Sequence, residues 1–430
     1  MSKMADRLNT INTMITEAAR KGLLQLTADS ETFDGRIIHL EGRPLINFGL
    51  CSYLGLEMDP RLKQGAIDAI VRYGTQFASS RAYLSAPPYR ELEDLLQRIV
   101  NAPVLVAPTT TLGHLAAIPT LIREDDAVIM DQQVHNSVQM AVEHVRALGA
   151  SVEMVRHNDM KALDRRLSEL TTRYERVWYL ADGVYSMFGD LAPVEELNQF
   201  LHRYKALHLY LDDAHGMSWT GRHGCGHVLS HLLERDRVVV ALSMAKGFSA
   251  CGGVLVFPNT DLLRQVRSCG GPMIFSGPIQ PPVLGAAIAS AHLHLSKEIT
   301  VMQQELLDRI RLFNHLMQEK ALPLISPILT PIRFVPTGLT PVAHNLMHRL
   351  MEEGFFPNIA GFPATPLKQS GIRITITRHH TRNDISSLVD ALAYHLPLAL
   401  EEEGSSLDDI SKFFRRTLTT PQPALASITG

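Results

Sequence analysis

The sequence predicts an α/β protein with a mostly parallel central sheet flanked by helices, together with a smaller C-terminal α+β domain. Short apolar runs rich in branched and aromatic residues recur between stretches with helical spacing, a pattern typical of buried parallel strands joined by helices. With 430 residues the chain exceeds one ordinary core, which favours a large domain plus a smaller one. Two of the runs, residues 209–216 and 240–247, stop at polar and potentially reactive groups.

The composition and net charge of the chain limit the kinds of binding partner that we expect. Hydrophobic residues make up 45% and charged residues 20% of the chain, as in soluble globular proteins. The formal charge of −3 gives no reason to expect nucleic acid or an anionic membrane as a partner. We find no apolar run of membrane-spanning length and no apolar signal segment. The cysteines show no metal or redox spacing, so we expect no metal site and a cytoplasmic protein.

The order of elements predicts four segments. Residues 1–55 are expected to form an N-terminal arm, with helical spacing over residues 5–26 and a β-hairpin that turns at Glu41 and Gly42. The large domain is expected over residues 56–295 and the small domain over 296–400. Residues 401–430 are acidic and then rich in Ser, Thr and Pro, which predicts a flexible tail with one short helix near residues 410–416.

A threonine turn is the first candidate for ligand binding. An apolar strand at residues 104–108 leads into Thr109, Thr110 and Thr111, and a helix follows through Leu121. The N-terminus of a helix offers free backbone N–H groups and a favourable dipole, so this turn suits a phosphate. The alternative is that Thr109 only caps the helix.

The two reactive strand ends carry the strongest chemical signal. The first delivers Asp212, Asp213 and His215, and the second delivers Ser243 and Lys246. Ligands of open α/β sheets bind beyond the carboxyl ends of the strands, so these groups are expected around one crevice. A carboxylate opposite a pyridinium nitrogen and a lysine that can form a Schiff base are what pyridoxal 5'-phosphate requires.

The motif at residues 212–215, Asp-Asp-Ala-His, resembles the Asp-Glu-Ala-His of the α-oxoamine synthase family. That family belongs to the fold-type I superfamily of pyridoxal-phosphate enzymes, which is aspartate aminotransferase-like. Residues 182–190 likewise resemble the family pattern Glu-Gly-Val-Phe-Ser-Met-Asp-Gly-Asp, and residues 53–56 match its Tyr-Leu-Gly-Leu. The motifs follow the family order from about residue 46 to residue 396.

The resemblance implies roles around the cofactor. Lys246 would hold the cofactor aldehyde and Asp212 would pair with the ring nitrogen, although the adjacent Asp213 is an alternative partner. His135 would stack on the ring and His215 would lie near its phenolic oxygen. Further cofactor contacts are implied for Thr109, Thr110, Thr111, Asp182, Ser186, Ser243 and Ser276.

The resemblance also implies substrate and subunit contacts. Arg373 would hold the amino-acid carboxylate, the alternative being an exposed arginine on an edge strand. Cys51 and Ser52 stand where the family has an asparagine near the substrate. Ser276 would reach the phosphate of a partner subunit, so a homodimer with sites at the interface is expected. His114 and His144 receive no role.

The expected activity, by resemblance, is acyl transfer, in which an amino acid condenses with an acyl thioester and loses carbon dioxide. An aminotransferase, a decarboxylase or a carbon–sulfur lyase for a larger amino acid would need the same groups. A non-catalytic protein that senses a ligand is a third reading. The intact lysine–aspartate pair argues against it, as does the lack of a basic N-terminal unit.

Overall fold

The computed structural model describes residues 3–415, and of these the side chains at positions 3–5 and 7 are left out of the description. The chain forms two compact units. The first combines Met1–Tyr53, Met187–Gly189 and Glu305–Gly430, and the second combines Leu54–Ser186 with Asp190–Gln304. The expected arm and the expected C-terminal domain thus share one unit. No helix in the described range is long and apolar enough to cross a membrane.

Thirteen strands are found in residues 3–415: β1 Ile37–Leu40, β2 Arg43–Asn47, β3 Val104–Ala107, β4 Ala127–Asp131, β5 Ser151–Val155, β6 Val177–Asp182, β7 Leu207–Asp212, β8 Val238–Ser243, β9 Gly253–Val256, β10 Ile332–Gly338, β11 Phe355–Phe356, β12 Asn358–Ala360 and β13 Ser370–Thr375. The α-helices of the same range are α1 Lys3–Arg20, α2 Pro60–Tyr73, α3 Pro88–Val100, α4 Thr110–Leu121, α5 Asn136–Ala147, α6 Met160–Leu170, α7 Val194–Arg203, α8 His227–His231, α9 Thr260–Cys269, α10 Gly271–Phe275, α11 Pro281–Leu295, α12 Glu298–Glu319, α13 Thr340–Glu352, α14 Arg382–Glu402 and α15 Leu407–Phe414. Short 3₁₀ turns occur at Leu56–Met58 and Arg222–Gly224.

The second unit is built on a seven-stranded sheet in the order β3-β9-β8-β7-β6-β4-β5. Strands β4 to β8 are mutually parallel, and β9 runs antiparallel to both of its neighbours. Every residue of β6 and β8 is buried, because apolar side chains cover both faces of the sheet. The predicted fold class is therefore confirmed.

The parallel register aligns the carboxyl ends of three neighbouring strands. Asp182 at the end of β6 lies opposite Asp212 at the end of β7. Asp212 in turn lies opposite Ala241, two residues before the end of β8. Since side chains of adjacent parallel strands in register are neighbours, the polar residues that end these strands come together.

The first unit contains two small sheets, β1-β2-β11 and β10-β13-β12. The predicted hairpin is present, since β1 and β2 pair across Glu41 and Gly42, both of which have positive φ. Helix α1 ends at Arg20, earlier than the expected residue 26, because Gly22 and Gln25 take left-handed backbone conformations.

The expected short C-terminal helix occurs as α15, three residues earlier at its start than predicted. Its apolar side is buried, and the ring of Phe414 contacts the rings of Phe188 and Phe334. The rest of the expected tail, residues 416–430, lies outside the described residues.

Candidate active site

Asp212 lies at the centre of a hydrogen-bonded chain of three side chains. His114 Nε2 is 2.9 Å from one carboxylate oxygen of Asp212, and His114 Nδ1 is 2.8 Å from the hydroxyl of Tyr210. The backbone N–H of Ala214 donates to the other carboxylate oxygen at 3.0 Å. Burial alone would raise the pKa of Asp212, but His114 and Lys246 outweigh it and hold that pKa well below its ordinary value. Asp212 is therefore a buried carboxylate that stays ionised.

Tyr210, His114 and Asp212 form one continuous series of hydrogen bonds. Burial raises the pKa of Tyr210 well above its usual value, so the phenol keeps its proton, and its oxygen lies 2.8 Å from His114 Nδ1. Since Asp212 is ionised and can only accept, His114 Nε2 carries the proton that faces it. This arrangement fixes the orientation of the carboxylate and of the imidazole ring.

Asp182 occupies the neighbouring strand end. The backbone N–H of His135 donates to its carboxylate at 2.9 Å. Burial, and next the charge of Asp212, raise the pKa of Asp182 well above its ordinary value. Two carboxyl groups thus lie on adjacent strand ends, one ionised and one that favours its protonated form.

Asp213 lies in different surroundings from Asp212, although the two are consecutive. One of its oxygens accepts from the backbone N–H of Val228 at 2.9 Å. Glycine is required at Gly183, Gly216 and Gly226, because a Cβ at any of them would collide with this carboxyl group. Burial raises the pKa of Asp213 to about 8. A carboxyl group that is neutral near pH 7 is a poor partner for a cation, so the geometry favours Asp212 as the anion.

Lys246 lies in the turn that follows β8, and its side chain is partly buried. Its positive charge contributes to the lowered pKa of Asp212 and opposes the raised pKa values of Asp182 and Asp213, so it acts on all three carboxyl groups. The hydroxyl of Ser243, at the end of β8, accepts from the backbone N–H of Ala245 at 3.3 Å.

The threonine turn lies at the start of α4, as predicted. Thr109 is the N-cap residue, and its hydroxyl accepts from the backbone N–H of Leu112 at 3.1 Å. The hydroxyl of Thr110 donates to the carbonyl of Leu242, next to Ser243 in β8, at 3.3 Å. The capping role considered for Thr109 is therefore present. The first-turn amides of Thr110 and Thr111 remain the groups suited to an anion.

Histidine and serine candidates are spread around this cluster. His135 is the N-cap residue of α5, its Nδ1 lies 2.6 Å from the hydroxyl of Ser137, and its ring is exposed. His215 is buried in the turn after β7. Ser186 is partly buried in the loop after β6. Ser276 follows the short helix α10 as its C-cap residue, and its hydroxyl donates to the carbonyl of Pro272 in that helix at 2.6 Å.

The substrate candidates Arg373, Cys51 and Ser52 all belong to the first compact unit. Arg373 lies on β13, the middle strand of its sheet, and its side chain is buried, so the alternative of an exposed edge-strand arginine is wrong. Its Nη2 lies 3.5 Å from the sulfur of Cys51. Burial opposes the charge of Arg373, but Cys51 and Tyr53 outweigh burial and raise the pKa of the guanidinium. The hydroxyl of Ser52 is buried, with no hydrogen-bond partner among the described residues.

Sequence reasoning missed His114. Two features of the sequence could have indicated it. Tyr210 and Asp212 are two residues apart on one strand, so they share a face of the sheet. His114 follows Thr110 by four residues, so both lie on the same side of α4. Once α4 packs on that face, as it does, the histidine is brought to the carboxylate.

Comparison with known proteins places the chain that carries these residues in a family. The aminotransferase class I and II pattern matches residues 43–392. An 8-amino-7-oxononanoate synthase from Symbiobacterium thermophilum is 31% identical over 364 residues, covering 82% of this chain and 89% of that protein. The chain belongs to the aminotransferase class I and II family. The family expected from the motifs, the α-oxoamine synthases, is thereby confirmed, and with it a transferase that depends on pyridoxal phosphate.

Further relatives agree with this assignment. The 8-amino-7-oxononanoate synthase of Dechloromonas aromatica is 30% identical, covering 89% of this chain and 98% of that protein. Among solved structures, serine palmitoyltransferase from S. paucimobilis with bound pyridoxal phosphate and myriocin superposes with a TM-score of 0.83 at 21% identity. That match covers 93% of this chain and 99% of the other, and it supports the fold.

The residues at the strand ends fit pyridoxal phosphate chemically. Asp212 supplies a buried, ionised carboxylate of the kind that keeps a pyridine nitrogen protonated. Lys246 supplies a primary amine within range of that charge. The start of α4 supplies backbone amides for a phosphate. These three parts come from separate elements of one compact unit.

Proposed function

We propose that this protein is an α-oxoamine synthase that joins the α-carbon of an amino acid to the carbonyl carbon of an acyl thioester. In this reaction the new carbon–carbon bond forms as the thiol leaves, and the amino-acid carboxylate is lost as carbon dioxide. The observation that carries the proposal is the ionised Asp212, held by His114, beside the amine of Lys246.

Bound pyridoxal phosphate supplies an aromatic ring that withdraws electrons from the bonds at the α-carbon of an amino acid. Asp212 would hold the proton on the ring nitrogen, and His114 would keep that carboxylate oriented. The first-turn amides of Thr110 and Thr111 would bind the phosphate. Lys246 would bind the cofactor through Nζ and then move protons at the α-carbon of the substrate.

Arg373 is proposed to hold the carboxylate of the amino acid. Its planar guanidinium offers two parallel N–H groups, which match the two oxygens of a carboxylate. Its raised pKa means that the buried guanidinium is a cation near neutral pH. Cys51 lies beside it in the position where the family resemblance expects asparagine.

The name of the relatives described above supports acyl transfer over the other reactions considered. In 8-amino-7-oxononanoate the amino group and the ketone are on adjacent carbons. Joining the α-carbon of an amino acid to an acyl carbonyl produces that pattern. A transaminase, a decarboxylase or a carbon–sulfur lyase would not create this carbon–carbon bond.

The decisive experiment incubates the purified protein, loaded with pyridoxal phosphate, with a panel of amino acids in the presence and absence of acyl thioesters. We expect carbon dioxide and free thiol to be released together in a one-to-one ratio, and only when both substrates are present. Keto acid, ammonia or a cleaved carbon–sulfur product without thioester would contradict the proposal. Lys246→Ala is the matched inactive control.

We also propose that the protein forms a homodimer through an exposed apolar surface on the second unit. Tyr83 and Phe275 are 88% and 87% exposed. Their segments are tied together, because the hydroxyl of Ser80 donates to the carbonyl of Ile274 at 2.5 Å. Large exposed aromatic groups on neighbouring segments are typical of interfaces.

The association is tested by sedimentation velocity. We expect a dimer for the native protein and a shift towards monomer for Phe275→Asp, whereas a substitution at the exposed Leu148 should leave the mass unchanged. A monomeric native protein at micromolar concentration would contradict the dimer. The cytoplasmic location stays a prediction of the sequence.

A further inference from the structure

The first compact unit contains a cavity of about 380 Å³. Its wall is mostly apolar and includes Leu24, Met187, Phe356 and Ile359. Among the described residues that line it, Arg373 carries the charge. The volume lies at the lower end of the range for small-molecule sites, so the cavity suits a short chain better than a large ring system.

Part of this wall comes from the segment that follows α1. Gly22 and Gln25 adopt positive φ angles of 66° and 56°, which turn the chain twice within four residues. A positive φ is uncommon for a residue with a side chain, so Gln25 marks a defined turn. Leu23 is buried as a result, and Leu24 and Leu26 line the cavity.

The chemistry of the lining restricts what can bind. The buried guanidinium of Arg373 matches a carboxylate, because it offers paired donors and an opposite charge, while Gln25 and Asn358 are the polar uncharged residues of a mostly apolar wall. The apolar side chains beside it favour methylene and methyl groups, since burying them removes apolar surface from water. A ligand with a second charge along its chain would find no matching group on Leu24, Met187 or Ile359.

We propose that this cavity selects the substrate by an aliphatic chain that packs against Leu24, Met187 and Ile359. The proposal rests on the proposed function, in which Arg373 holds the amino-acid carboxylate. The chain is either the side chain of the amino acid or the hydrocarbon part of the acyl group. The two sources share one chemistry, and substrate series distinguish them.

The test uses the protein loaded with pyridoxal phosphate and two series of substrates. In the first, alanine, 2-aminobutanoate, norvaline and norleucine are compared with one thioester. In the second, acetyl, butanoyl, hexanoyl and octanoyl thioesters are compared with one amino acid. We expect KM to fall about fourfold per added methylene in one series until the cavity is filled. A flat response in both series would overturn the proposal.

Two matched substitutions locate the effect. Leu26 is 38% exposed, so Leu26→Trp can be accommodated at the cavity while it reduces the space for a chain. Leu367 is 66% exposed and outside the lining, so Leu367→Trp is the control. We expect Leu26→Trp to shorten the longest accepted chain by two or more carbons and Leu367→Trp to leave it unchanged. Equal profiles for the two variants would contradict the assignment.

The shortest substrates separate failure of this inference from failure of the proposed function. If alanine and the acetyl thioester are converted to product but chain length has no effect on KM, the proposed function stands and the cavity assignment is wrong. If no pair is turned over, the function fails, and calorimetry with butanoate and hexanoate tests the cavity directly. We then expect hexanoate to bind about 16-fold more tightly than butanoate, and equal affinities would overturn the cavity assignment as well.

Discussion

Asp212 and Asp213 are consecutive and both buried, yet the two faces of the sheet give them opposite properties. On one face, Asp212 receives hydrogen bonds from His114 and the Ala214 amide, and the charge of Lys246 acts on it. On the other face, Asp213 lies against glycines and accepts a hydrogen bond from the Val228 amide. The first pKa is held well below its ordinary value, and the second is raised to about 8.

The difference teaches that burial alone does not decide the charge of a carboxyl group. Burial raises the pKa of both residues, and the difference comes from the hydrogen-bond donors and the nearby charges: His114 and Lys246 lower the pKa of Asp212, whereas the charge of Asp212 raises that of Asp213. The protonated ring nitrogen of the cofactor needs an anion beside it, and of these two residues Asp212 is the one that stays ionised. Asp213 acts as a neutral hydrogen-bonding group in a tight packing site.

The largest expected effect is on activity, and it distinguishes Asp212 from Asp213 when each is replaced by asparagine. Asp212→Asn removes the charge that the cofactor nitrogen needs, and we expect kcat/KM to fall by at least ~10²-fold. Asp213→Asn replaces a neutral acid by a neutral amide of the same shape, and we expect a change of less than about tenfold. Steady-state kinetics with saturating pyridoxal phosphate measures both. Similar losses of kcat/KM in the two variants would contradict the assignment of Asp212 as the ionised partner and of Asp213 as a neutral group.

The second effect is on stability as a function of pH. In the folded protein Asp213 keeps its proton up to about pH 8, whereas an unfolded aspartate loses it near pH 4. Between these values the folded state binds more protons, so this residue makes stability fall as pH rises, by up to about 1.4 kcal/mol per pH unit. Above pH 8 both states are ionised and the loss is complete.

Asp213→Asn should remove this slope, so the variant gains stability over the native protein as pH rises from 5 to 7.5. Asp212 adds no slope in that window, because its lowered pKa affects stability only below about pH 4, where stability is lost as pH falls. Urea unfolding at several pH values measures both slopes. Parallel curves for the native protein and Asp213→Asn would show that Asp213 is ionised when folded.

Much of this site could be predicted because its signals are local. An apolar run that ends in a polar group predicts both a strand and the position of its reactive residue, as at Asp182 and Asp212. The roles of His114 and Ser276 could not be read in this way. The role of His114 depends on how α4 packs on the sheet, and the hydroxyl of Ser276 donates to a carbonyl of α10, the helix that it follows.

The same limit applies to the first unit. The arginine at position 373 could be predicted from its motif, but the cavity beside it needs the turn after α1 and the β11–β12 segment. These stretches are far apart in the sequence, and no periodic pattern connects them. Tertiary packing therefore accounts for what the motifs leave out.

The third effect concerns the hydrogen bonds that hold Asp212. His114→Phe keeps the ring and removes the donor, leaving one carboxylate oxygen buried without that partner. We expect pyridoxal phosphate to bind about tenfold more weakly and the Asp212 pKa to rise. Fluorescence titration with the cofactor measures the affinity. His144→Phe, at an exposed position on α5, is the matched control and should change neither.

The smallest expected effect on cofactor affinity is at Tyr210, whose hydroxyl is connected to Asp212 through His114. Tyr210→Phe removes the hydroxyl that is hydrogen-bonded to His114 Nδ1 and leaves the bond between His114 and Asp212 in place. The loss of one neutral hydrogen bond costs about 1 kcal/mol, so we expect cofactor affinity to fall about fivefold. In the double variant with His114→Phe the second substitution should have no further effect, because its partner is already absent. Additive losses would show that Tyr210 acts on the site by a route other than His114, and the chain of three side chains would not be a functional unit.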